Sequence, residues 1–397
     1  MTVRPARAPA PDLARGVMLL LIVLANSAFY LHGAAGQGPH PLDGSTADSV
    51  AQAILLVGVD LRVYPMFALL FGYGLVMIMR SRTARGASEA QARRQVQRRN
   101  LWLIVFGAVH ALLLWGGDIL GAYGLTGLLV VWLFLRRSDT VLLVWAAVGM
   151  VLLGLVAALS VLGGRAIVAG EAPAVDPGGE LFGLIHESVA GEGYLAAAGA
   201  RMVLWAIQTV VSQGPLGIAV PVSILLGIWA ARRRVLECPG EHRALLRWVA
   251  VVGIAVGWIG AVPHALTQVG VLESLRPALS SFAAPQMFTG IFCGIGYVAL
   301  FGLLGDTYSR RPLGPVARAV SAVGARSMTC YVAQSVLCAP VLAAWGLGLG
   351  AHLSSATIAV YAVVVWLVTL AYAVVAEHAG RAGPLEALMR RLAYRDR

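Results

Sequence analysis

The chain has 397 residues, of which 59% are hydrophobic and only 12% charged, and its mean hydropathy is +0.78. Soluble domains average about a quarter charged residues, so a large soluble domain is excluded. The net charge is +11, carried by arginine alone and concentrated in short loops between apolar runs, which points to positive-inside membrane topology and not to a nucleic-acid partner.

Apolar runs long enough to cross a bilayer recur along the chain. They predict an all-α integral membrane protein with about ten transmembrane helices, near 14–31, 51–79, 101–117, 119–135, 140–163, 203–231, 246–265, 286–304, 317–345 and 355–376. The first run lacks a small-residue cleavage site and is expected to be a retained span. Residues 80–99 carry seven arginines against one acid, Glu89. Arg136/Arg137, Arg232–Arg234, Arg310/Arg311 and the basic tail fall on the same side as Arg4 and Arg7. Asp43, Asp48, Glu171, Asp176, Glu180, Glu187 and Glu192 fall on the other. An even number of spans with both termini in the cytoplasm satisfies every loop, and the expected location is the inner (cytoplasmic) membrane. Residues 164–200 read as an external loop, part of which fits an amphipathic surface helix.

Span 1 opens with Asp12 and Arg15, three apart and able to pair, and Asn26 lies on the same helical face about 16 Å further along. In span 2, Asp60, Tyr64, Phe67 and Phe71 share a face, whereas Arg62 points nearly the opposite way. Asp60 and Arg62 therefore need separate partners, or Pro65 breaks the helix there. Each of these buried polar groups suits either a helix–helix contact or a cavity wall, since ionisable groups in the membrane core cost roughly 2.5–3.5 kcal/mol on insertion scales.

Next comes "HALLLWGGDILGAYGLTG", residues 110–127. In one straight helix His110 and Asp118 would lie about 80° and 12 Å apart, so they could not meet. Gly116-Gly117 instead reads as the turn between spans 3 and 4, with Asp118 at the N-cap of span 4. His110 has no such structural explanation and is the residue type suited to proton transfer near neutral pH. In "GARSMTCYVAQS", Arg326, Thr329 and Cys330 share a stripe, and Arg326 suits either a phosphate or an interfacial anchor. His264 reads as structural. The cysteines Cys238, Cys293, Cys330 and Cys338 lack zinc or disulfide spacing, and no metal is expected.

The segments "DLARGVMLLLIVLANSAF", "FALLFGYGLVMIMRSR", "RRNLWLIVFGAVHALLLWGGDILGAYGLTGLL", "GARSMTCYVAQS" and "GPLEALMRRL" resemble the bacterial YeiB-like family, from residue 12 to 392. The N-terminal half, 1–163, is similar to a wider transmembrane acyltransferase superfamily that includes the lysosomal heparan-alpha-glucosaminide N-acetyltransferase. The shared features are Asp12, Arg15, Gly16 and Asn26 in span 1 and Asp60, Pro65, Phe67 and Gly72 in span 2. A histidine of that lysosomal relative, eleven residues after its asparagine, is here Gln37, flanked by His32 and His40. Beyond the loop, residues 203–397 form a C-terminal helical half ending in the "GPLE" tail.

The resemblance implies an acyl group moved from cytoplasmic acyl-CoA, acetyl-CoA in the simplest case, to a hydroxyl or amine on a sugar, lipid or small molecule. Asn26 and His110 are then the catalytic candidates. Asp12, Arg15, Asp60, Arg62, Tyr64, Asp118 and Arg326 are candidates for binding, and Asp12, Arg15, Asn26, Asp60 and His110 are expected around one cavity. A permease for a small solute and a non-catalytic membrane partner are the alternatives. The apolar helix faces allow a homodimer in the bilayer.

Overall fold

The computed structural model of the chain describes residues 9–33, 39–42, 44–174, 179–309 and 313–393. Arg4, Arg7, Gln37, Asp43, Asp176, Arg310 and Arg311 lie outside them. Among the described residues the regular structure is helical throughout. In chain order the helices are α1 (Pro9–Ser27), α2 (Thr46–Gly58), α3 (Val63–Thr83), α4 (Glu89–Leu113), α5 (Ile119–Leu133), α6 (Asp139–Val168), α7 (Gly179–Ala190) and α8 (Tyr194–Ile207). They continue as α9 (Ala219–Arg232), α10 (Arg243–Gln268), α11 (Ala283–Ser309), α12 (Pro315–Ala325), α13 (Ser327–Leu342), α14 (Ser355–His378) and α15 (Pro384–Ala393).

Among the described residues, seven helical stretches are long and apolar enough to cross a membrane, and α5, α9 and α13 are shorter apolar helices. The outward faces of α6, α10 and α14 expose Val151, Leu155, Leu159, Trp248, Ile259, Val360 and Val375. Such faces suit hydrocarbon and not water, and they mark a multi-pass membrane protein.

Three expected spans are interrupted. The span at 51–79 bends between α2 and α3, where Leu61 adopts a left-handed φ of 59°. Pro65 falls in the first turn of α3, where its missing N–H breaks no helical bond. The span at 203–231 divides into α8, extended by a π-turn at Gln208–Ser212, and α9, with "QGPLG" between them. Pro215 cannot donate there, and two glycines loosen the backbone on either side of it. The span at 317–345 divides at Arg326, which has φ −119° and ψ 32°.

The segment at 164–200 is also more structured than a loop. It includes the end of α6, all of α7 and the start of α8, and Ile185 and Val189 of α7 are buried against Tyr30 and Trp115 instead of lying on a lipid surface.

The basic loops meet through ion pairs. Arg80 binds Glu237 at 3.1 Å and the carbonyl of Arg232, Arg232 binds Asp139 at 3.0 Å and the carbonyls of Leu135 and Arg137, and Arg136 pairs with Glu89. At the start of α1, a Cβ on Gly324 of α12 would strike the Asp12 carbonyl. Glycine at that position is what lets α12 press against α1, and the same small-residue logic joins α3 to α9 at Gly72 and Gly227.

Candidate functional site

The best-defined polar centre forms where α4 turns into α5. His110 lies in the last turn of α4, and its carbonyl accepts the N–H groups of Leu114 and Trp115 as the helix closes. The chain turns through Gly116-Gly117 and re-enters a helix at Asp118, the N-cap of α5. One carboxylate oxygen of Asp118 accepts the Gly121 N–H at 2.9 Å. The other lies 2.7 Å from His110 Nδ1. The two residues that a straight helix would separate are therefore a direct pair, made by the turn that the glycines predicted.

The protonation pattern follows from the partners. A carboxylate can only accept, so beside the Asp118 carboxylate the His110 Nδ1 is the donor. The basic lone pair then sits on Nε2. That atom is buried and has no partner, and the side chains of the pair are 1% and 0% exposed.

Tyr331 of α13 completes the centre. Its ring meets the His110 ring edge-on at 5.2 Å, and its hydroxyl accepts the N–H of Ile119, the residue after Asp118, at 3.3 Å. Tyr331 also lines a narrow pocket with Asn26, Tyr30, Trp115, Gln334 and Cys338, which has room for about one water molecule. Trp115 Nε1 and Gln334 Oε1 are buried there without partners. Asn26 and His110, the two catalytic candidates, are thus linked through one side chain.

The remaining candidates do not join that pocket; of the five residues expected around one cavity, Asn26 alone lines it. Asp12 and Arg15 pair at 3.2 Å near the start of α1, as their spacing predicts. Asp60 instead binds His40 Nε2 at 2.7 Å. Arg62 is fully buried, donating to the Asp60 carbonyl and to the Gly257 carbonyl, because the bend at Leu61 turns it back on the chain. The hydroxyl of Tyr64 is buried without a partner, and its carbonyl accepts Tyr123 at 2.8 Å.

His264 contacts the Gln286 side chain and stacks on Phe282. Arg326, which suits either a phosphate or an interfacial anchor in the sequence, has its guanidinium taken up by the carbonyls of Ala322 and Arg381 and by Glu377 at 2.7 Å. Among the described residues, no group of three or more His, Cys, Asp or Glu side chains is placed to hold a metal ion.

Tyr331, Trp115 and Gln334 were not singled out in the sequence, and His40 was named only as a neighbour of Gln37. Tyr331 stands one residue beyond the Arg326–Thr329–Cys330 stripe, and only the packing of α13 against the α4–α5 turn gives it meaning.

This geometry sits in a chain with relatives along nearly its whole length. The "Uncharacterized protein YeiB" of Escherichia coli (strain K12) is 27% identical over 405 residues, covering 97% of this chain and 95% of that protein. The chain is YeiB-like. The "Uncharacterized protein YxaH" of Bacillus subtilis (strain 168) is 26% identical over 406 residues, covering 96% and 93%. The family described as "Protein of unknown function (DUF418)" matches residues 230–396, from the end of α9 through the "GPLE" tail. The YeiB-like similarity thus spans the His110–Asp118 turn in one half and α13 with the tail in the other.

Proposed function

We propose that this chain is a membrane acyltransferase of the cytoplasmic membrane, with ten spans and both termini in the cytoplasm. The observation that carries the reading is the His110–Asp118 pair: an imidazole fixed by a carboxylate, with a buried and unpartnered Nε2. That is the arrangement of a general base whose tautomer is set in advance. An acyl-CoA would approach from the end where the arginine loops meet. Arg326 is engaged elsewhere, so the exposed Arg94, near the start of α4, is better suited to its phosphates.

His110 Nε2 takes the proton of the acceptor hydroxyl or amine as that atom attacks the thioester carbonyl. Asn26 donates a hydrogen bond to the resulting oxyanion. On collapse the C–S bond breaks, and the proton on His110 passes to the departing CoA thiolate, so the base is regenerated.

His110→Ala should lower acyl-CoA consumption, measured on purified protein with a panel of sugars, amines and lipids, by about 10²–10⁴-fold. Wild-type turnover in that variant would remove His110 from the reaction. The orientation is tested separately: native Cys238, beside the Arg232–Arg234 cluster, should react with an impermeant maleimide only from the cytoplasmic side.

The divided helix of α8 and α9 favours a second reading. Broken helices within a membrane line substrate paths in transporters, and Gln208 and Gln213 leave buried side-chain oxygens unpartnered beside the break. Solute uptake into vesicles with no acyl-CoA consumption would favour transport over acyl transfer.

A further inference from the structure

The "GPLE" segment, residues 383–386, has no part in the reaction described above. It nevertheless grips the helix that carries Tyr331. Helix α13 starts afresh after the break at Arg326, and Arg326 provides no side-chain cap. The first N–H groups of any helix lack partners within it. Here they are supplied from the tail: one oxygen of Glu386 accepts Met328 N–H at 2.8 Å and Thr329 N–H at 3.1 Å, and the other accepts the Thr329 hydroxyl at 2.5 Å. The exchange is reciprocal, because Thr329 Oγ1 accepts the N–H of Leu385 at 3.1 Å in the first turn of α15.

Each residue of the motif has a task in this clasp. A Cβ on Gly383 would collide with the Glu386 carboxylate, Pro384 opens α15 where no donor is needed, and Glu386 is the cap. Arg326 adds a second tie through the Arg381 carbonyl at 2.6 Å. Helix α15 also packs against α4, the helix of His110, with Met389 and Val96 in one core cluster.

We propose that Glu386 is a positioning residue: by capping α13 from the tail it sets the placement of Tyr331, and through Tyr331 the His110–Asp118 pair and the Asn26 pocket. Tyr331 lies one turn beyond the capped residues, and Gln334 and Cys338 of the pocket follow on the same helix. The inference rests on the reading of that centre as the working site, but its test does not depend on turnover.

The test uses full-length protein with a single cysteine left, Cys338 in the pocket, Cys330 beside the clasp or Cys293 in α11, and N-ethylmaleimide as the probe. Glu386→Ala should speed modification of Cys338 by about fivefold, the effect of losing one helix cap on local opening. It should also shift the His110 ring signals in ¹⁵N-histidine NMR and leave Cys293 unchanged. Glu386→Gln, which still offers a carbonyl to the N–H groups, should restore most of the wild-type behaviour.

Faster labelling of Cys330 alone, with Cys338 and the His110 signals unchanged, would reduce the clasp to a local cap and overturn the proposal. So would equal acceleration at Cys293, in either variant, because the tail would then hold the whole fold and not α13. Wild-type behaviour of both variants would also overturn it. A failure of the acyltransfer reading would appear differently, as wild-type turnover in His110→Ala with the labelling pattern intact.

Discussion

Replacing Asp118 with asparagine is expected to slow acyl transfer by about 10²–10⁴-fold while leaving the protein folded. The two functions of this carboxylate separate in that variant. The asparagine carbonyl can still accept the Gly121 N–H, and asparagine caps helices as well as aspartate does, so α5 keeps its start. Toward His110 the change is not conservative. A carboxylate can only accept from Nδ1, whereas the asparagine NH₂ donates to it and drives the ring proton onto Nε2. The base then presents an N–H where a lone pair is required. The expected signature is a lost kcat, a KM for acyl-CoA near the wild-type value, and an unchanged thermal unfolding midpoint in detergent. Full activity in Asp118→Asn would mean that the pair is structural and that the proton leaves by another route.

The His110–Asp118 pair shows what was legible in the sequence and what was not. The glycines and the cap at Asp118 are local signals, and the turn is where they put it. The pairing required a further fact, that α5 folds back tightly against α4. That approach depends on small residues facing each other: Gly107 packs on Asp118 and Gly121, and Gly124 packs on the Asn100 backbone. Those glycines were visible at helical spacing, but the helix they would face was not. Asp12 and Arg15 were legible because their partnership spans one turn of one helix. The partners of Asp60 and Arg326 were not, because His40 reaches Asp60 from the segment before α2 and Arg381 reaches Arg326 from the tail.

The same division holds for the fold. Apolar length announces membrane helices, but the breaks within them have unequal signals. The interruption between α8 and α9 carries a proline and flanking glycines, whereas Arg326 breaks α12 from α13 with only Gly324 nearby to hint at it. What holds that break open is the tail, through the Arg381 carbonyl and the Glu386 cap. Residues remote in the chain determine it, so no local pattern could reveal it.

Nothing in the sequence singles out Arg201, yet the structure buries it. On a surface helix outside the bilayer its side chain would be solvated, and replacing it would change stability by less than about 0.5 kcal/mol. In the fold it is 1% exposed. It donates to the carbonyls of Ala111 at 3.2 Å and Leu112 at 3.0 Å, two of the groups that the end of α4 leaves without helical partners. Its guanidinium also lies 4.9 Å from the ring centre of Tyr194 and 5.0 Å from that of Trp345. Arg201→Leu removes these interactions together. Each orphaned buried carbonyl costs about 1–3 kcal/mol, and desolvated cation–π contacts add about 2 kcal/mol. A loss of at least about 3 kcal/mol is therefore expected, read as a marked fall in the unfolding midpoint in detergent. Arg201→Lys should recover only part of it, since an ammonium cannot reproduce the planar fork that spans two successive carbonyls. The damage should also reach the site, because Ala111 and Leu112 directly follow His110 and fix the last turn from which it projects. A wild-type unfolding midpoint in Arg201→Leu would free the end of α4 from the support assigned to it.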